Sequence, residues 1–182
     1  MPFLEDDARK AERASTLPRQ DGSDVVDPFA LLGLEPRPDL CPVELEKAYL
    51  NRSRELHPDR REGEDATART AALNEAYRLL SDPWRRLAIL CEMREPGVLN
   101  RCRELPPSFL IEAMERAEEV EAARGDLRKE TELEARLSGE LAALERKAME
   151  RFAAGDMRAV ATLCHEARYH RRALEVLHDP GS

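Results

Sequence analysis

From residue 27 onward, apolar side chains recur at spacings of three and four, and prolines and glycines cut that rhythm into segments of helical length. Asp27-Pro28-Phe29 predicts a helix start, with Asp27 as the cap and Pro28 in the first helical position, and Gly33 predicts its early end. A loop with Pro36 and Pro38 follows. Pro42 then opens a second helix whose Leu45, Tyr49, Ser53 and Leu56 line one side, with Lys47, Arg52 and Arg54 assigned to the other. Pro58 ends it, because proline lacks the amide hydrogen and disfavours the α conformation of the residue before it. After the polar stretch Arg60 to Asp65, a third helix over about residues 66–80 is expected to bury Ala72, Leu73, Ala76, Tyr77 and Leu80. Ser81-Asp82-Pro83 repeats the cap-then-proline signal and starts a fourth helix through Leu87, Leu90 and Cys91.

Glu95-Pro96-Gly97 breaks that helix and Pro106-Pro107 opens the next, so residues 96–106 read as a linker. Beyond it, Gly125-Asp126 and Gly155-Asp156 each pair a helix terminator with a cap. They divide the unit at 107–182 into helices over about 108–124, 127–154 and 157–178, an up-down three-helix bundle. In the middle helix Leu133, Leu137, Leu141, Leu144, Ala148 and Phe152 form one continuous stripe. Its neighbours offer Phe109, Ala113, Ala117 and Val120 on one side, and Val160, Leu163, Cys164, Ala167 and Leu174 on the other. Leu110, Ile111 and Met114 fall off the first stripe beside Glu115 and Glu118, and Tyr169 lies nearly opposite Val160, so these residues need a different partner. Residues 1–26 carry few large apolar side chains and read as a mobile tail. Apolar Leu87, Leu90 and Val98 predict that the two units pack together in a fixed, bent arrangement.

Composition sharpens the fold class. Among 182 residues, Ala and Leu number 25 each while Val and Ile together number 9, which predicts an all-α protein rather than any sheet architecture. The net charge of −8, spread without strong polarisation, argues against a nucleic-acid partner. No apolar run approaches the roughly 20 residues of a membrane span. Cys41, Cys91, Cys102 and Cys164 lack paired metal-ligand spacing, and no export signal is evident near Met1. The expectation is a soluble cytoplasmic chain with reduced thiols, no cofactor and no bound metal. Cys164 reads as bundle core.

His57-Pro58-Asp59 stands at the tip of the hairpin made by the second and third helices. A His and an Asp side by side suggest acid-base chemistry, but no nucleophile, oxyanion donor set or phosphate-binding loop accompanies them, so a small helical hydrolase is the disfavoured alternative. The pattern Asp27-Pro28-Phe29-x-Leu31-Leu32-Gly33-Leu34, Tyr49 eight residues before His57-Pro58-Asp59-Arg60, and Leu73-Asn74-x-Ala76-Tyr77-x-x-Leu80-Ser81-Asp82-Pro83 closely resembles a J domain over residues 27–95: a helical hairpin plus two short helices. The resemblance implies a non-catalytic cochaperone that stimulates the ATPase of a 70-kDa heat-shock-type chaperone (HscA- or DnaK-like). It carries docking onto His57, Pro58 and Asp59, with Arg52, Arg54 and Arg60 as the cationic surround.

Phe109-Leu110-Ile111-Glu112-x-Met114-Glu115-x-x-Glu118-Glu119, opening a three-helix second unit, is similar to the HscB family of iron–sulfur cluster assembly cochaperones. That resemblance implies an IscU-like iron–sulfur scaffold protein as client, held by Leu110, Ile111, Met114, Glu115, Glu118 and Tyr169. Tyr169 stands where Phe is expected, Ala122 where a further acidic contact would sit, and Arg86-Leu87 where the usual pair is Arg-Ala. The alternative within the class is a J cochaperone for a different client.

Overall fold

A computed structural model describes residues 27–55 and 64–178 and contains eight helices among them. The described residues begin with α1 (Pro28–Leu32), whose first turn is capped by the Asp27 carboxylate accepting from the Phe29 N–H at 2.9 Å. Gly33 ends it at φ 68°, and the Arg52 guanidinium stands 2.9 Å from where a β-carbon would be. The left-handed backbone is what favours glycine there, since the guanidinium ends a flexible side chain that can move aside. The hairpin of α2 (Pro42–Glu55) and α3 (Glu64–Ser81) follows, and α1 lies across α3. Phe29, Leu32, Leu45, Leu73, Ala76 and Leu80 are buried between them, and Tyr49 stacks on Tyr77 with ring centroids 4.6 Å apart.

Asp82 caps α4 (Pro83–Arg94), accepting from the Trp84 and Arg85 N–H groups. Trp84, Leu87, Ile89, Leu90 and Cys91 are buried along it, and so is Arg86. Arg86 donates Nε to the Pro38 carbonyl at 2.8 Å and Nη1 to the Leu80 carbonyl at 2.5 Å, tying the loop after α1 and the end of α3 to α4. Within 96–106 the chain forms a further short helix, α5 (Val98–Arg101). Glu92 receives the N–H groups of Gly97 at 2.6 Å and Leu99 at 2.9 Å, satisfying donors that the helix start leaves free.

The bundle consists of α6 (Pro107–Ala123), α7 (Leu127–Ala153) and α8 (Met157–His178). Gly125 and Gly155 make the two turns at φ 82° and 77°, while the Asp126 and Asp156 carboxylates accept from the Lys129 and Ala159 N–H groups. The predicted register holds for α7 and α8. On α6 the buried line runs through half-buried Phe109 and Ala113 to Val120 and Ala123, with Arg116 in the inward position and Ala117 exposed. The expected Ala117 position is one residue off: the arginine stem, being largely hydrocarbon, occupies the step of three that the alanine was assigned.

α4 and α5 pack directly on α8. One apolar core therefore runs from Phe29 and Leu73 through Leu87, Leu90 and Val98 into Ala148, Phe152, Val160, Leu163, Cys164 and Ala167. A second, smaller core lies at the far end of the bundle, formed by Val120, Ala123, Leu133, Leu137, Ala173 and Leu177. Polar contacts lock the junction: Arg171 pairs with Asp82 at 2.7 Å, His165 Nε2 donates to the Leu99 carbonyl at 2.8 Å, and the Arg94 guanidinium lies 3.8 Å over the Phe152 ring. No helix among the described residues is long and apolar enough to cross a membrane.

Candidate docking faces

The first candidate face belongs to α2 and the hairpin tip. His57, Pro58, Asp59 and Arg60 lie outside the described residues, as do Leu56 and residues 1–26. Of the predicted cations, Arg54 is exposed. Arg52 turns toward α1, where it is half-buried over Gly33 and pairs with Glu55 at 3.0 Å. Lys47 and Arg54 share their side of the helix with Val43 and Leu50, both exposed. The outward face of α2 is thus mixed apolar and cationic, and Leu50 is a surface residue that sequence reading passed over. Its signal was available, since positions 43, 47, 50 and 54 follow the same three-four spacing as the core, displaced around the helix.

The second face is formed by α6 and α8. Leu110 is 39% exposed, Ile111 58% and Met114 61%, on the side of α6 turned away from both cores. Glu115 and Glu118 flank them, also exposed. From α8, Tyr169 reaches the same edge, 44% exposed, with its ring edge-on to Phe109 at a centroid distance of 5.6 Å. Phe109 therefore works as a bridge, half-buried beneath the face and holding Tyr169 in place. All six residues of the predicted client set are solvent-accessible, and the two aromatic rings bring the helices that carry them together. A patch of large apolar side chains rimmed by carboxylates suits recognition of a protein surface rather than turnover of a small molecule.

Behind the face the electrostatics change. Burial holds the His170 imidazole below the ordinary histidine range, helped by the Arg116 guanidinium and opposed by Glu140 and Glu112. Burial likewise raises the Glu166 carboxyl, and Glu112 adds to that while Lys147 offsets it. The thiols at the domain junction are inert in the same way: desolvation pushes Cys91 up to about 12 and Cys164 higher still. All four cysteines are free, and among the described residues no group of three or more His, Cys, Asp or Glu is placed to hold a metal ion.

Comparison with known proteins agrees with this layout in chain order. Residues 27–89 match the DnaJ domain and residues 105–178 match the HSCB C-terminal oligomerisation domain. The chain is 34% identical over 119 residues to the co-chaperone protein HscB homolog of Bordetella petrii, covering 62% of this chain and 70% of that protein. It belongs to the HscB co-chaperone family. A homologue from Bordetella pertussis is 37% identical over 107 residues, 55% of this chain, and the match spans 63% of that relative's length. Among solved structures, the chaperone HscB from Vibrio cholerae superimposes with a TM-score of 0.72 at 22% identity, covering 84% of this chain and 95% of that one. Human co-chaperone protein HscB gives 0.72 at 19% identity, covering 89% and 91%. At such identities these two establish the all-α fold of a J domain followed by an HscB helical domain, and the pairing of α6 with α8 in this chain defines the face just described.

Proposed function

We propose that this chain is a cytoplasmic co-chaperone that stimulates the ATPase of a 70-kDa heat-shock-type chaperone and delivers an IscU-type iron–sulfur scaffold protein to it. The observation that carries the reading is the exposed apolar-acidic face of α6, completed by Tyr169 of α8, on the same body as a J-domain hairpin. Docking on the chaperone is assigned to His57, Pro58 and Asp59 with Arg54 and Arg60, and to Arg52 at the margin. The client is assigned to Leu110, Ile111, Met114, Glu115, Glu118 and Tyr169. Charge on α2 orients the encounter and its apolar positions add area, giving a modest-affinity, directional contact. A cytoplasmic setting fits four free thiols.

The test is chaperone ATP turnover. Adding this protein should raise it, and the scaffold should raise it further. His57→Gln should abolish the stimulation without changing the helical circular-dichroism spectrum, and equal stimulation by that variant would sink the docking assignment. Leu110→Ala with Met114→Ala should weaken scaffold binding and leave stimulation in the absence of scaffold intact.

A further inference from the structure

The two apolar cores are separated by a polar layer to which each bundle helix contributes one side chain. Arg116 of α6, Glu140 of α7 and His170 of α8 sit between Val120, Leu137 and Ala173 on one side and Leu141, Leu144 and Ala167 on the other. The contacts converge on a single atom: Glu140 Oε2 lies 3.7 Å from Arg116 Nε and 3.5 Å from His170 Nδ1. Arg136 donates to the other oxygen of that carboxylate at 3.2 Å. His170 is 6% exposed, and two nitrogens in the layer, Arg116 Nη1 and His170 Nδ1, are buried without a hydrogen-bond partner.

Such a layer is costly. Glu140 keeps 35% of its side chain exposed, but Arg116 and His170 are largely buried with unpaired nitrogens, and such groups are typically no more stabilising than apolar residues of the same volume, so stability alone does not account for them. Their position relative to the client face does. The Phe109 ring is 6.4 Å from the His170 ring and 5.6 Å from Tyr169, the residue preceding His170 in the chain. A displacement of the imidazole thus moves both the bridge and the aromatic it holds.

We propose that His170 is a positioning residue for the client face: neutral, it lets α6 seat on α8 with Phe109 and Tyr169 in register, and protonated it unseats them and weakens scaffold binding. This rests on the client reading given above. The charged groups facing the imidazole are Arg116 and Glu112 from α6 and Glu140 from α7, with Arg136 behind Glu140. With His170 neutral, the Arg116 and Glu140 charges sum to zero inside the layer. Protonation adds a second cation beside Arg116 in a site that burial already makes hostile to charge. The seated arrangement binds a proton less readily than an opened one, whose imidazole would titrate near the ordinary value of about 6.5. By linkage, seating is complete above that value and is lost as pH falls through the lower value of the seated form.

Two measurements on the full chain decide this. In the absence of any partner, the NMR ring resonances of Tyr169 should shift with the same midpoint as the His170 ring protons, and should stay still over that range in His170→Gln. With the IscU-type scaffold as probe, wild-type affinity should fall more than that of His170→Gln between pH 7.8 and 5.8, by up to about sixfold, the limit for a group that titrates near 6.5 when opened and stays neutral when seated. Comparing the two proteins cancels titration of the scaffold and of other histidines. Parallel affinity profiles, or Tyr169 resonances indifferent to the His170 titration, would overturn the proposal; His170→Leu serves as the unprotonatable variant should the glutamine fail to fold. Absence of wild-type binding at pH 7.8 would sink the client reading and the affinity claim with it, and the Tyr169 titration would then decide by itself whether His170 positions that ring.

Discussion

Alanine substitutions along α6 should rank in a particular order, because the three apolar residues of the proposed client face begin from different exposures. Fully burying a side chain of this size contributes about 2 kcal/mol, and only surface still in water can contribute on binding. Leu110, at 39% exposed, has about 0.8 kcal/mol left to gain, whereas Ile111 at 58% and Met114 at 61% each have about 1.2 kcal/mol. Leu110→Ala should therefore weaken scaffold binding about fourfold, and the Ile111→Ala, Met114→Ala double variant about fiftyfold. Stability should rank the other way: the buried part of Leu110 already contributes to folding, so its removal should cost about 1 kcal/mol in urea, more than either neighbour. Titration calorimetry gives the first ranking and chemical denaturation the second. If Leu110→Ala lost more affinity than Met114→Ala while leaving stability unchanged, the client would not be reading the surface that the free protein exposes.

Arg86→Met should destabilise by about 3 kcal/mol, since it strands the Pro38 and Leu80 carbonyls that a charged donor now satisfies; a lower urea midpoint at unchanged slope is the expected signature. At Asp82, asparagine should retain the cap on α4 and lose the ion pairs with Arg171 and Arg85, whereas alanine should lose the cap as well, about 1–2 kcal/mol in thermal or urea melts; equal losses would mean the cap is idle. Of the four thiols, Cys41 should react first with a disulfide reagent in the native protein, while Cys91 and Cys164 should require unfolding, because burial raises both well above the ordinary thiol range. Early modification of Cys164 would contradict its place in the core.

What the sequence made legible was whatever rests on local chemistry. Asp27-Pro28, Asp82-Pro83 and the two Gly-Asp pairs marked helix starts and stops because capping and a left-handed turn depend on one or two residues each, and the bundle helices begin and end within a residue of expectation. Leu110, Ile111 and Met114 could be separated from the core because a helix has only one inward stripe. The failures share a cause in tertiary contact. Arg116 replaced Ala117 on the buried line of α6 because its stem fits a layer whose other polar groups, Glu140 and His170, come from α7 and α8, which no reading of α6 alone contains. Arg52 was grouped with Lys47 and Arg54, but the open space over Gly33 draws it to α1. The burial of Arg86 depends on carbonyls 48 and 6 residues away in the chain. α5 was hidden by its length, four residues whose start is satisfied by Glu92 from the preceding helix.

The shared core has a functional consequence that follows from its composition. Leu87, Leu90 and Cys91 of α4 and Val98 of α5 belong to the same cluster as Val160, Leu163, Cys164 and Ala167 of α8, so the J region and the bundle cannot reorient without exposing apolar surface to water. A flexible tether between two binding units would raise the local concentration of a client over a broad range of distances, falling off with tether length. A fixed joint instead concentrates the client at one place and one orientation relative to the hairpin. Only a chaperone whose client site lies at that separation from its J-docking site gains from it. On the proposed function this rigidity is a source of selectivity, and the contacts that enforce it, Asp82 with Arg171, His165 with Leu99 and Arg94 over Phe152, would bear on partner choice as much as the residues on either face.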